Sequence, residues 1–444
     1  MDIVEKVREA GIVGAGGAGF PTHVKINCKA EYVIANGAEC EPLLRVDQQV
    51  MAVYAQDLVD GMRVVMEQTG ALQGVICLKS HYHDAVEALL AVLQGDDKIR
   101  LHQMKSYYPA GDEQEMVYDV TGRVVPTGGL PLDVGAVVCN VSTLVNIAHA
   151  MNGEPVTDKF VTVGGEVEHP ATFCVPVGTP ISTIIAAAGG PADRSEYILI
   201  LGGPCMGALS EDWETPVTKT TGGVLVFKKD HPLIAKKGNN SKEDIKLAQA
   251  VCCQCSMCTQ LCPRNALGLR VEPHKAMRAA ANAQGGLLGD VNGVFSCCDC
   301  GICTYFACNF GLKPSKMMGM FKQSLGEAGI KPKKEVYGRV DPGLELKKVP
   351  VSRMISRMGV KQYDVPAPLA SGVTQVVDVK IPLKMHIGVP SVSVVRTGST
   401  VSKGQLIADI PEGALGAKIH ASINGTVTDI ADTYIEIRSD GGTR

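Results

Sequence analysis

The chain has 444 residues, too many for one ordinary hydrophobic core, so two to four domains are expected. Its formal net charge of −3 argues against nucleic acid as the main partner and leaves no basic stripe for membrane attachment. Although 45% of the residues are apolar, no run approaches the roughly eighteen apolar residues that a transmembrane helix needs. These features predict a soluble, globular, cytoplasmic protein without a transmembrane segment.

The chain opens with a short amphipathic helix and then a glycine-rich loop, Gly14 to Gly19. The loop contains G-x-G-x-x-G, but only a two-residue strand candidate precedes it and Pro21 follows it, so the match to a Rossmann fingerprint is weak. A loop this rich in glycine presents bare backbone N–H groups and admits a phosphate or a flat ring closely. A ligand-binding loop is therefore indicated, with a plain turn as the alternative.

Strands and helices alternate as far as residue 155, which predicts an α/β layer domain over residues 1–155. Asn36, Glu39 and Glu41 follow the strand that begins at Tyr32. The two carboxylates either contact a nucleotide or belong to a solvated loop, and their spacing does not choose between these readings.

The pattern changes after residue 155. Two strands, a helix and a further strand resemble a β-grasp module over residues 156–210, and a strand pair and polar linker follow over 211–245. Residues 331–366 are rich in Lys, Pro and Val and indicate a linker or wrapping arm. Residues 367–444 resemble the barrel-sandwich hybrid of lipoyl and biotinyl carriers. Their turn IHASING lacks the modifiable lysine of a carrier, which favours a structural or docking module.

Ten of the sixteen cysteines lie between Cys252 and Cys308. The first four ligand candidates precede Pro263 and have the spacing of a bacterial ferredoxin run: Cys252, Cys255, Cys258 and Cys262. The second run repeats the spacing over three cysteines, but its fourth follows after four residues and precedes Asn309: Cys297, Cys300, Cys303 and Cys308. One run is regular and the other is stretched.

In two-cluster ferredoxins the fourth cysteine of each run ligates the other cluster. We therefore expect one 4Fe–4S cluster on Cys252, Cys255, Cys258 and Cys308, and a second on Cys297, Cys300, Cys303 and Cys262. Cys253 and Cys298 are then spare, and residues 246–330 form a helical ferredoxin-like domain. The alternatives are structural zinc sites, which usually show separated C-x-x-C pairs, and disulfides, which a reducing compartment disfavours.

Four further motifs, GAGGAGFPTHVK, ANGAECEP, YPAGDE and NVSTLVNI, occur in this order. With the cysteine runs, they resemble the soluble NADH-binding subunit of the Rnf electron-transport complex and the flavoprotein subunit of respiratory complex I. In the C-terminal position of its hybrid barrel and in its stretched second run, the chain resembles the cobalamin reductases of propanediol-utilisation microcompartments. The resemblance covers essentially the whole chain and implies an α/β multidomain fold.

The resemblance also implies site residues. FMN-contacting positions fall on Gly14, Gly16, Lys25, Asn36, Gly111, Asn140 and Thr143. Positions lining the NADH pocket fall on Gly17, Ala18, Phe20, Glu41 and Glu113, with Glu41 and Glu113 as the candidate catalytic residues. Tyr108 matches a tyrosine at the mouth of that site, with a packing role as the alternative. The chain departs from complex I at Ala38, where complex I has an acidic residue.

The resemblance implies an NADH-dependent reductase that passes electrons through FMN and two 4Fe–4S clusters to a corrinoid. It also suggests residence inside a bacterial microcompartment, with an adenosyltransferase, the shell or an electron-transfer protein as partner. One alternative is an Rnf-type relay that serves a ferredoxin or a membrane complex. Another is an iron–sulfur protein that has lost flavin, for which Ala38 is the only hint. The D-x-H-x-x-G corrinoid-binding pattern is absent.

Overall fold

The computed structural model describes residues 1–238, 240–335, 338–370 and 376–441. Within these ranges, no helix combines the length and the apolar character that crossing a lipid bilayer requires. The chain builds an α/β unit, a β-grasp unit, a helical unit that carries the cysteines, an arm, and a C-terminal barrel.

The α/β unit is a parallel four-stranded sheet with strands in the order β3, β2, β1, β5. Its elements are α1 (Ile3–Glu9), α2 (Thr22–Lys25), β1 (Tyr32–Gly37), α3 (Val46–Val53), α4 (Ala55–Thr69), β2 (Gln73–Lys79), α5 (His83–Val92), β3 (Ile99–Met104), β4 (Tyr107–Tyr108), α6 (Glu113–Thr121), β5 (Ala136–Asn140) and α7 (Val141–Met151). Strand β4 lies outside this sheet. Strands β1, β2 and β5 are mostly buried, as expected for a parallel sheet covered by helices on both faces, whereas the edge strand β3 is buried only at its two ends.

Two features of this unit prepare the site. Helices α4 and α7 pack closely because Gly61 leaves room for the backbone of Leu144: a Cβ on Gly61 would lie 1.9 Å from the Leu144 carbonyl oxygen. In the register of β1 and β5, Asn36 lies opposite Asn140 at the carboxyl ends of both strands. Ligands of parallel α/β sheets bind outside this edge.

The β-grasp unit is a five-stranded sheet with strands in the order β7, β6, β10, β8, β9. Its elements are β6 (Asp158–Gly165), β7 (Ala171–Pro176), α8 (Ile181–Ala187), β8 (Tyr197–Leu201), β9 (Ala208–Ser210) and β10 (Gly223–Lys228). The strand pair predicted after residue 210 is a single strand, β10, and it lies at the centre of this sheet between β6 and β8. The local pattern could not reveal this, because β10 pairs with strands far away in sequence.

The cysteines lie in a helical unit: α9 (Pro232–Lys237), α10 (Ser241–Val251), α11 (Met257–Gln260), α12 (Pro263–Ala266), α13 (Pro273–Asn282), α14 (Val291–Phe295), a π-helix (Cys303–Ala307) and α15 (Pro314–Glu327). Its core contains Met277, Met317 and Met318. The predicted linker that follows is folded. It contains α16 (Leu344–Lys347), β11 (Val349–Pro350), which pairs with β4, and α17 (Val351–Met358), whose Met354, Ile355 and Met358 are buried.

The C-terminal barrel contains β12 (Asp378–Pro382), β13 (Val392–Ser393), β14 (Thr400–Val401), β15 (Leu406–Asp409), β16 (Ile419–His420), β17 (Gly425–Ile430) and β18 (Tyr434–Arg438), arranged in a four-stranded and a three-stranded sheet. It packs behind the glycine-rich loop. The backbone N–H of Ile387 donates to the Gly19 carbonyl at 3.1 Å, and the buried Lys219 ammonium donates to the carbonyls of Gly11 (2.7 Å) and Lys418 (2.8 Å).

Candidate functional site

The glycine-rich loop is closed at its base and pinned from two sides. The N–H of Gly14 donates to the Phe20 carbonyl at 3.0 Å, which closes the loop. The N–H of Ala15 donates to the Thr143 hydroxyl of α7 at 3.0 Å. The Ala15 carbonyl accepts from the Lys159 ammonium of β6 at 2.9 Å. Two structural units therefore fix one short segment of backbone.

Beside this loop lies a cavity of about 640 Å³, a size typical of cofactor pockets. A Cβ atom on Gly17 would meet no other atom within 4 Å, so this part of the loop exposes its backbone to open space. Ten of the predicted residues line the cavity: Gly14, Gly16, Gly17, Ala18, Phe20, Lys25, Asn36, Gly111, Glu113 and Asn140. Two predicted residues do not line it. Thr143 is buried behind the loop, and Glu41 lines an adjoining cavity.

The two asparagines at the sheet edge hold the loops that shape this cavity. The Asn36 amide donates to the Gly111 carbonyl at 2.9 Å. The Asn140 side chain accepts from the Ser142 N–H at 2.9 Å, which caps α7, and its amide donates to the Asp47 carboxylate at 3.0 Å. A Cβ on Gly16 would lie 2.6 Å from the Asn140 amide nitrogen, so a larger residue at position 16 would displace that amide.

A lysine and a carboxylate approach each other on the cavity wall. The Lys25 ammonium lies 3.3 Å from a carboxylate oxygen of Glu113. Burial lowers the pKa of Lys25, but the neighbouring Glu113 carboxylate more than offsets this effect, so the pKa lies above its ordinary value. Lys25 therefore stays protonated at neutral pH and presents a positive charge to the cavity.

A buried charge network beneath the cavity was missed by the sequence analysis. The Glu39 carboxylate accepts from the Asp47 N–H at 3.1 Å, and the Lys79 ammonium donates to the Glu39 carbonyl at 2.9 Å. Burial raises the pKa of the Glu39 and Asp47 carboxyls, and it lowers the pKa of Lys159 to about 8. The sequence left Glu39 as either a nucleotide contact or part of a solvated loop, and no local signal connects Lys159, on another unit, to this loop.

A second cavity, of about 470 Å³, shares Gly16, Gly17, Gly111 and Asn140 with the first. Its lining also contains Cys298 and Cys300, so this one cavity borders both the glycine-rich loop and the second cysteine run.

Glu41 and Tyr108 join three structural units in this wall. The Glu41 carboxylate accepts from the N–H groups of Cys205 (2.8 Å) and Met206 (3.0 Å). The fully buried Tyr108 hydroxyl lies 3.2 Å from Glu41 and 2.7 Å from the Cys300 carbonyl oxygen. Burial raises the pKa of Glu41 and of Tyr108. The α/β unit, the β-grasp unit and the second cysteine run thus meet at one buried carboxyl.

The eight predicted cluster ligands form two groups. One group surrounds a small cavity with His274 and Phe310: Cys252, Cys255, Cys258 and Cys308. In the other group, Cys262 and Cys297 are electrostatic neighbours, and Cys303 neighbours both of them and also Cys258 of the first group. Cys300 neighbours Cys262 and Cys303. The fourth cysteine of each run therefore lies with the first three of the other run. Of the two spare cysteines, Cys253 is exposed and Cys298 lies next to Cys300.

The backbone of both runs has the same shape. Left-handed residues occupy equivalent positions, Gln254 (φ 57°) and Ser256 (φ 60°) in the first run, and Asp299 (φ 60°) and Gly301 (φ 76°) in the second. Non-glycine residues rarely adopt this conformation, and alternating handedness turns successive N–H groups inward to form an anion-binding nest. A cluster with its thiolates is an anion, so this backbone fits it.

The stretched second run is accommodated locally. A π-helical turn over Cys303–Ala307 precedes Cys308 and takes up the extra residue. Within the described ranges, no three His, Cys, Asp or Glu side chains converge around a position for a single metal ion. Zinc needs ligand atoms about 2.0–2.3 Å from one centre.

Comparison with known proteins agrees with this geometry. Residues 7–149 match the Nuo51 FMN-binding domain, 160–208 the SLBB domain, 251–313 the 4Fe-4S dicluster domain, and 368–441 the RnfC barrel sandwich hybrid domain. These matches confirm the predicted fold class, with its β-grasp module of SLBB type, and the predicted FMN and iron–sulfur cofactors.

Three curated relatives illustrate the similarity. The chain is 42% identical over 440 residues to the cobalamin reductase PduS of Salmonella typhimurium and 40% identical over 439 residues to that of Citrobacter freundii. Each alignment covers 98% of this chain and 96% of the relative. One component of the Na⁺-translocating ferredoxin:NAD⁺ oxidoreductase complex of Acetobacterium woodii is 36% identical over 59% of this chain and 58% of its own length. With its fold, cavities and cysteine groups, this chain belongs to the PduS cobalamin reductase family.

Proposed function

We propose that the protein is an NADH-dependent flavin and iron–sulfur oxidoreductase that reduces a corrinoid, cob(III)alamin or cob(II)alamin. The observation that carries the proposal is the second cavity, which adjoins the cofactor cavity and is lined both by the glycine-rich loop and by Cys298 and Cys300 of the second cysteine run. Similarity to PduS proteins over 98% of the chain supports the corrinoid as acceptor.

When bound, FMN would supply the conversion between the electron pair that NADH delivers as hydride and the single electrons that iron–sulfur clusters accept. The chain supplies binding and orientation. Gly14 and Gly16 let the backbone approach a flat ring, Lys25 offers a positive charge to a phosphate, and the loops held by Asn36 and Asn140 fix the walls.

The complete FMN-contact set in this proposal is Gly14, Gly16, Lys25, Asn36, Gly111, Asn140 and Thr143. The Thr143 contribution is indirect, since its hydroxyl holds the Ala15 N–H. The NADH set is Gly17, Ala18, Phe20, Glu41 and Glu113. Phe20, which is 37% exposed on the cavity lining, is suited to stack on a flat ring. Glu41 and Glu113 remain the candidate catalytic residues.

The proposed cluster ligands are the two groups of thiols described above. We assign the cluster of Cys297, Cys300, Cys303 and Cys262 to the flavin side, because Cys300 borders the second cavity together with the glycine-rich loop, and call it the flavin-side cluster. The other, the solvent-side cluster, lies next to the exposed Cys253 and Cys255 and to Phe310, which is 48% exposed. Electrons would therefore leave from the solvent side.

The proposed domains follow the observed sheets. They comprise an FMN/NADH domain over residues 1–155, a β-grasp domain extended to residue 228 to include β10, the two-cluster domain over 246–330, an arm over 331–366, and the hybrid barrel over 367–444. The link to propanediol utilisation extends the proposal to a microcompartment location, with an adenosyltransferase or the shell as partner.

The test is anaerobic purification with iron, sulfide and flavin analysis, followed by NADH addition with cob(III)alamin or with a ferredoxin as the acceptor. Two four-iron clusters correspond to about eight irons per chain, together with one FMN. Reduced corrinoid supports the proposal. The second candidate is an Rnf-type relay, favoured by the similarity to the Acetobacterium woodii protein; it predicts reduction of ferredoxin and an unchanged corrinoid.

A further inference from the structure

A buried arginine connects the flavin cavity to the flavin-side cluster. We propose that Arg264, held by Asp112, raises the reduction potential of the flavin-side cluster and thereby sets the driving force for electron uptake from the flavin. This inference rests on the proposed division of the cysteines between two clusters. No local sequence pattern predicted that Arg264 and Asp112 would form a pair.

Arg264 and Asp112 form a buried ion pair. The Arg264 Nε atom lies 3.0 and 2.9 Å from the two Asp112 carboxylate oxygens, and Nη2 lies 2.7 Å from one of them. The exposed fractions are 12% for the Arg264 side chain and 4% for the Asp112 side chain. Nη1 also donates to the Ser296 carbonyl at 3.3 Å. A bidentate pair in this setting has little freedom to move and little solvent screening.

Each partner is adjacent in sequence to functional residues. Asp112 lies between the cavity-lining Gly111 and Glu113, and its carboxylate caps α6 by accepting the N–H groups of residues 114 and 115 at 2.9 and 3.1 Å. Arg264 lies two residues after Cys262, and its backbone N–H is one of the groups that lower the pKa of the Cys262 thiol against the effect of burial. The pair thus ties the wall of the flavin cavity to a cluster ligand.

The Arg264 guanidinium has Cys297, a proposed cluster ligand, and Cys298 among its electrostatic neighbours. Uptake of one electron adds one negative charge to a cluster, so a nearby fixed cation stabilises the reduced form and raises the potential, while a nearby anion lowers it. Asp112 also neighbours Cys298 of the same run, so its negative charge partly offsets that of Arg264.

The test is a redox titration of the whole protein, using a chemical reductant and electron paramagnetic resonance to follow each cluster. For Arg264→Gln we expect a lower potential of the flavin-side cluster, equivalent to about a tenfold loss in its electron-uptake equilibrium, or about 59 mV for one electron. The potential of the solvent-side cluster should stay unchanged. Asp112→Asn should shift the flavin-side potential upward, and Arg264→Lys should leave it near the wild-type value.

The matched control is Arg278→Gln, which removes the same charge from an exposed position on α13 in the same unit; neither potential should move. Equal shifts of both clusters, or shifts of the same sign in Arg264→Gln and Asp112→Asn, would overturn the proposal. If the Arg264→Gln variant loses its iron, the Asp112→Asn variant provides the test instead. An unchanged or lowered potential of its flavin-side cluster would then refute the proposal. The titration uses neither NADH nor corrinoid, so its outcome is independent of the proposed acceptor.

Discussion

Tyr108 provides a sharp test of how the flavin cavity is joined to the second cysteine run. Its ring is completely buried, and its hydroxyl lies 2.7 Å from the Cys300 carbonyl and 3.2 Å from Glu41. Tyr108→Phe keeps the ring and removes only the hydroxyl. Glu41 retains its two backbone donors, Cys205 and Met206, so the Cys300 carbonyl is the group left without this partner.

Leaving a buried polar group unsatisfied costs about 1–3 kcal/mol. We therefore expect Tyr108→Phe to lower the free energy of unfolding by that amount, measured by denaturant titration with bound cofactors. Because the lost bond holds the second run against the cavity wall, NADH-driven bleaching of the clusters in a stopped-flow experiment should slow. Bleaching of the flavin by NADH should keep its wild-type rate.

The neighbouring tyrosine is a matched control. Tyr107 is also buried, but its hydroxyl has no hydrogen-bond partner among the residues that the structure describes. Tyr107→Phe should therefore be neutral or slightly stabilising, with normal reduction of the clusters. If the two variants behave alike in both assays, the hydroxyl of Tyr108 does not join the units and the reasoning fails.

Three further predictions concern the clusters, the loop and the barrel. Cys308→Ser should reduce the iron content from about eight toward four per chain and remove the signal of the solvent-side cluster, whereas Cys253→Ala should keep both clusters; loss confined to the flavin-side cluster contradicts the crossed ligation. Gly16→Ala should displace Asn140, since the new Cβ would lie 2.6 Å from its amide nitrogen, and should lower the FMN content without loss of iron; a full FMN complement counts against this site. His420 is buried, and its pKa is lowered to about 3 by burial and by Lys219 and Lys418. Between about pH 6.5 and 3 the unfolded state therefore binds one more proton at this histidine than the folded state does, so the free energy of unfolding falls as the pH falls. His420→Gln should weaken that dependence in denaturant titrations at pH 7 and pH 5, and an identical dependence in wild type and variant would argue against it.

The N-terminal fold was predictable because its signals are local. The strand Ile99–Met104 and the helix beginning at His83 follow directly from the alternation and helical spacing of apolar residues. The position of β10 was not predictable, since it depends on pairing with β6, about sixty residues earlier. The helix Val351–Met358 has apolar residues at helical spacing, but the Lys- and Pro-rich composition around it favoured a linker.

The site was partly predictable for the same reason. Ten residues named from motifs line one cavity, because the motifs end at the same edge of the parallel sheet. The grouping of the eight cysteines follows from ligand spacing, and the structure has the same grouping, although ligation itself stays a prediction. The contacts of Lys159, Tyr108 and Arg264 depend on the docking of separate units, and no local pattern reports such docking.

The central claim is tested most directly by a stoichiometric titration of the purified, cofactor-complete protein with NADH under anaerobic conditions and excess cob(III)alamin. NADH supplies two electrons and each cob(III)alamin takes one in forming cob(II)alamin. The account predicts about two cob(II)alamin per NADH consumed, with catalytic amounts of protein. NADH-dependent bleaching of flavin and clusters with an unchanged corrinoid spectrum would contradict it and make the protein a relay for another acceptor.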